Sequence, residues 1–60
     1  MSKEQLMELE EKKRKLLVET YRMKQENPHM SPVSLEMEMY RALMTEIREI
    51  TSRIQLAAEA

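Results

Sequence analysis

Asn27-Pro28-His29-Met30-Ser31-Pro32 is the stretch that decides the fold of this chain, because both prolines act against a continuous helix here. Asn27 precedes Pro28 and is pushed out of the α region, so a first helix ends near Glu26. Ser31 followed by Pro32 reads as a new start, with Ser31 as N-cap and Pro32 at the first helical position, where its missing N–H is harmless. Met30 and Leu35 then take the two positions of a hydrophobic staple, and Glu36 and Glu38 lie near the positive end of the new helix dipole.

Outward from that break, two ladders of residues run away in both directions. Upstream stand Leu6, Leu9, Lys13, Leu16, Thr20 and Met23; downstream stand Tyr40, Leu43, Ile47, Ile50, Ile54 and Ala57. Each keeps the alternating spacing of three and four that puts side chains on one seam of a helix. Folding back at Pro28-His29 sets Leu16 opposite Leu43, Leu9 opposite Ile50 and Leu6 opposite Ile54. The expected fold is all-α: an antiparallel two-helix hairpin with a helix over about 3–26, a loop over 27–31 and a helix over about 32–58, in one domain spanning 1–60. Ser2 and Gln5 form a capping-box pattern at the first start, and Glu4 adds a favourable charge there. The chain has no Gly, so a loop of about four residues should be tight and rather rigid.

Sixty residues without cysteine have no disulfide or thiolate metal site to compensate for a thin core, which leaves self-association as the remedy. Each helix, roughly 37 Å long at 1.5 Å per residue, also carries more apolar arc than one neighbour covers. On the first helix the main stripe of Leu6, Leu9, Leu16, Leu17 and Met23 is flanked by Met7, Val18 and Tyr21. On the second, Met37, Met39 and Met44 widen the ladder around Tyr40. The economical expectation is a homodimer of hairpins forming a four-helix bundle. The candidate interface residues are therefore Met7, Val18, Tyr21, Met37, Met39, Tyr40 and Met44. Four of the seven methionines, Met30, Met37, Met39 and Met44, cluster at the loop end of the second helix, and unbranched polarizable side chains suit a surface that adapts to a partner.

Two seam positions are polar. Lys13, opposite Ile47, is expected to lay its stem along the seam and send its ammonium to Glu46 or Glu10, or to act as a register device. Thr20, opposite Tyr40, is expected to hydrogen-bond to it.

Charge and motif content argue against other function classes. Ten Lys and Arg against eleven Asp and Glu produce no long-range field for nucleic acid or anionic lipid. The basic run 12–15 points around the whole helix circumference, with Glu8, Glu10, Glu11 and Glu19 one turn away, so it is no patch. No apolar run approaches the roughly 20 residues that span a bilayer, and no signal segment opens the chain, so a cytoplasmic protein is expected. The lone histidine, His29, lies in the loop without a Cys or Ser-His-acid partner. Carboxylate pairs such as Glu4/Glu8 and Glu46/Glu49 lack the Glu-x-x-His of a di-metal bundle. No enzyme activity, cofactor or metal is expected.

In shape, a dimerising helical hairpin looks like the Rop family of plasmid copy-number proteins, which bind paired RNA loops; that resemblance implies nucleic-acid binding, for which the basic run would offer Lys12, Arg14 and Lys15. It rests on architecture, with no residue motif to carry over. The hairpin build is also similar to that of the short sporulation phosphatases, but Ser34-Leu35-Glu36-Met37-Glu38 does not reproduce their Ser-Gln-x-Leu-Asp signature, and their activity is not transferred. The stretch 35–43 looks like the end of an intermediate-filament rod, with spacing wrong by about two residues, as shared heptad chemistry produces. The leading expectation is a small non-catalytic regulatory or adaptor protein that packs helix against helix, with itself or a larger regulatory protein. A purely structural oligomerisation bundle is the alternative.

Overall fold

The computed structural model describes residues 2–59, Met1 and Ala60 lying outside the described residues, and consists of α1 (Lys3–Glu26) and α2 (Leu35–Glu59) packed against each other. The hairpin measures 41 × 16 × 13 Å, a rod about one helix thick in one direction and two in the other. No strand occurs among the described residues.

Helix α1 starts where the capping box places it. The Gln5 amide donates to Ser2 Oγ at 3.2 Å and the Ser2 amide donates back to Gln5 Oε1 at 3.0 Å, which satisfies two of the backbone donors a helix start leaves open. It ends at Asn27, whose backbone N–H and side-chain amide both donate to the Met23 carbonyl, at 2.9 and 3.3 Å. Among the described residues none has a positive φ, so the glycine-free loop closes without any left-handed position.

Helix α2 starts three residues later than the Ser31-Pro32 reading, at Leu35. Two serines compete as cap, and Ser34 wins. Its Oγ accepts the Met37 amide at 3.2 Å, and its carbonyl accepts the Glu38 amide at 3.2 Å, as an N-cap does. Ser31 instead opens a turn over 31–34, its carbonyl accepting both the amide (3.1 Å) and the hydroxyl (2.8 Å) of Ser34. The fixed φ of Pro32 suits the second position of such a turn as well as a helix start. The connection therefore covers 27–34, and the Met30–Leu35 staple does not form: Leu35 is exposed, and Val33, now just before the cap, is 91% exposed. Ser34→Ala should cost about 1 kcal/mol of stability. Ser31→Ala, which loses only a 3.4 Å bond from the Val33 amide to its hydroxyl, should cost clearly less. The order of the two denaturation midpoints checks the assignment.

The seam follows both ladders. In α1 the residues that are not exposed are Leu6, Leu9, Lys13, Leu16, Thr20 and Met23, and all six downstream ladder residues are likewise shielded. The deepest are Ile50 at 2% and Ile47 at 6% exposure, together with Thr20 at 6%. In heptad letters, with Leu6 and Tyr40 at a, the seam is a and d; in an antiparallel pair g then faces g and e faces e. Lys12 and Glu46 are both at g, and their 3.2 Å ion pair crosses the hairpin where the expected register brings those positions together. Lys12 is exposed and Glu46 only partly shielded, so solvent screens the pair and it contributes less than about 1 kcal/mol.

Lys13 keeps its expected place in the seam but does not reach Glu46, and Thr20 departs from expectation. Glu46 is engaged by Lys12 and not by Lys13, since Lys12 and Glu46 share the g flank while Lys13 occupies the seam, where it is half-buried. Thr20 does not bond to Tyr40. Its hydroxyl donates to the Leu17 carbonyl at 2.8 Å, one turn back on its own helix, which leaves a satisfied polar group in an apolar seam. Thr51 does the same toward Ile47 at 2.7 Å.

Candidate partner-binding surface

The hairpin leaves much of its apolar surface in water. It exposes 5020 Å² for a mass of 7.2 kDa; a compact protein of that mass exposes about 4,100 Å², and the unfolded chain about 10,400 Å². Folding thus hides about half of the chain, against about 60% for a compact domain of this size. The excess of roughly 900 Å² is close to the roughly 800 Å² that each partner contributes to a standard protein interface.

Among the described residues the exposed large apolar side chains are Met7, Leu17, Val18, Tyr21, Val33, Leu35, Met39 and Leu56. Of the residues singled out from sequence, Met7, Val18, Tyr21 and Met39 are exposed, whereas Met37, Tyr40 and Met44 are half-buried along α2. They do not form one patch. Heptad position places Met7 and Tyr21 (b) and Met37 and Met44 (e) on one broad side of the hairpin, Met39 (g) on the other, and Val18 (f) on the back of α1. Tyr40 is in the seam, with the Lys24 ammonium 5.6 Å from its ring centroid, within cation–π range. Leu17, expected in the main stripe, sits at its edge with 44% exposure.

Sequence reading by helix missed that Leu17, Leu35 and Leu56 are also uncovered. Assigning each residue a heptad letter in the antiparallel register is the signal that finds Leu17 and Leu56. Leu35 needed the true start of α2.

The basic run 12–15 is dispersed by the helix. Lys12 reaches α2, Lys13 enters the seam, and Arg14 and Lys15 both approach Glu11, at 3.7 and 3.9 Å. Arg22 pairs similarly with Glu19 at 3.8 Å. His29 is exposed in the loop. Among the described residues no group of three or more His, Cys, Asp or Glu is placed to hold a metal ion, and no helix is long and apolar enough to cross a membrane. The surface hollows are open and shallow; one on α1 is lined by Glu4, Met7, Glu8, Glu10, Glu11 and Arg14. Comparison with protein-family profiles, curated proteins and solved structures returned no match.

Proposed function

We propose that this chain is a small non-catalytic regulatory or adaptor protein that works in the cytoplasm by packing helix against helix. Its first partner is a second copy, with two hairpins completing a four-helix bundle. The observation that carries this reading is the mismatch between core and surface. Among the described residues two hydrophobic side chains are buried, Ile47 and Ile50, while eight large apolar ones stand exposed. A helix with apolar residues beyond its seam gains stability when another helix covers them.

The test uses two surface variants that leave the seam intact, Tyr21→Ser with Met44→Gln on one side and Met39→Gln with Leu56→Gln on the other. At least one should weaken self-association or partner binding about tenfold or more, as loss of buried apolar anchors does. If both pairs leave self-association and partner capture unchanged, the packing reading is wrong.

A further inference from the structure

Charge is sorted between the two broad sides of the hairpin, although the chain as a whole is nearly neutral. The Lys12–Glu46 contact identifies the g side, so the e and b positions of both helices form the opposite side. That e/b side carries Lys3, Arg14, Lys24, Arg41 and Arg48, half of the chain's ten Lys and Arg, against a single acid, Glu10. On the g/c side, Lys12, Lys15, Arg22 and Arg53 are outnumbered by acids, among them Glu8, Glu19, Glu46 and Glu49. The remaining acids gather mainly on the backs of the two helices, as Glu4, Glu11, Glu38 and Glu59 do.

The e/b side also has an apolar stretch at its centre. By register, exposed Leu17 of α1 and half-buried Met37 and Met44 of α2 take the e positions that border the valley between the helices, with Lys24 beside them toward the loop and Glu10 and Thr51 toward the open end, while Met7 and Tyr21 take b positions on the α1 shoulder. Arg41 and Arg48, both exposed, form the opposite shoulder. An apolar centre with Arg41 and Arg48 along the α2 shoulder and Lys24 and Arg14, the latter shared with Glu11 at 3.7 Å, on the α1 side matches a helix with an apolar stripe flanked by carboxylates.

From this we infer that the e/b valley of the hairpin receives an acidic amphipathic helix of another protein. The inference rests on the helix-packing reading above and specifies the partner's chemistry. A second copy is a poor occupant of this side, because two such faces would bring cation against cation, which disfavours pairing. Self-association then belongs to the charge-mixed g/c side, where Leu35, Met39 and Leu56 are exposed. A nucleic acid is also a poor match. The centre of the valley is aliphatic, Tyr21 is its one exposed aromatic side chain available for base stacking, and the net charge of the chain is −1.

The probes are three helical peptides of about four heptads with the same leucine stripe and with Glu, Gln or Lys on its flanks, titrated against the full chain. The Glu peptide should bind at least about tenfold more tightly than the Lys peptide and lose that advantage as salt rises. Arg41→Glu with Arg48→Glu should reverse the preference. Arg22→Glu with Arg53→Glu, the same charge change on the other side, should alter affinity less than about threefold. Far-ultraviolet circular dichroism confirms that each variant is folded. Equal binding of all three peptides would overturn the charge match and leave helix packing standing. No peptide binding by a chain that still self-associates would overturn the acidic partner alone. Tighter binding of a single-stranded oligonucleotide or an anionic phospholipid vesicle than of the Glu peptide would also overturn it, reassigning the valley to a polyanion.

Discussion

Ile50→Asp should unfold the hairpin. Ile50 is the most buried apolar side chain, at 2% exposure, one helical turn from Ile47 at 6%. Removing a buried isoleucine costs about 2–5 kcal/mol, and a carboxylate left in its place adds a desolvation penalty of several kcal/mol. A domain of this length has total stability on the order of 3–9 kcal/mol, and a hairpin with one seam belongs at the lower end. Most helical stability in a protein comes from packing of an amphipathic face against a neighbour, so the helices should melt together once the seam is lost. Circular dichroism should show most of the helical signal gone. Ser52→Asp, two residues away on the exposed face, should change stability by no more than about 0.5 kcal/mol. An Ile50→Asp chain as helical as its parent would show that Ile47 and Ile50 do not hold the two helices together.

Lys13→Leu should act in the opposite direction. Lys13 occupies a seam position and is half-buried there, so its stem is ordered, while Glu46 is occupied by Lys12 across the hairpin. A leucine at this site removes the ammonium and adds a branched apolar side chain to the ladder between Leu9 and Leu16. The gain should be about 1–2 kcal/mol, which raises the melting midpoint by roughly 5–15 °C for a domain this small. If the lysine only packs its stem, the variant should melt as one species in the same register. If the lysine selects the register, the gain should come with a second, misaligned species visible as a broadened or biphasic transition. A midpoint that stays the same or falls would contradict the placement of Lys13 in the seam.

Much of the fold was legible because it rests on periodicity. The three-and-four spacing of Leu6 through Met23 and of Tyr40 through Ala57 needs only the pitch of a helix to be read, and every residue of both ladders is shielded. The start of α1 was legible for a similar reason, since a capping box is a local device. The start of α2 was not. Ser31 and Ser34 are equally competent caps and Pro32 suits a turn as well as a first helical residue, so the outcome depends on which carbonyl the Ser34 amide finds. The polar contacts were harder still. Whether Lys12 or Lys13 reaches Glu46, and whether Thr20 turns to Tyr40 or to its own backbone, is decided by side-chain direction over a few ångströms. The candidate surface residues were read as one group because each helix was considered alone; the antiparallel register divides them between two sides, and only that division reveals the sorting of charge.

The central claim is that one hairpin leaves apolar surface which a further helix pair covers. Its most direct test is the solution mass of the purified chain by light scattering over a concentration series, with helicity recorded on the same samples. The account predicts a helical species at twice the chain mass of 7.2 kDa, with helicity and mass falling together on dilution. A fully helical species that keeps the single-chain mass at every concentration would contradict it.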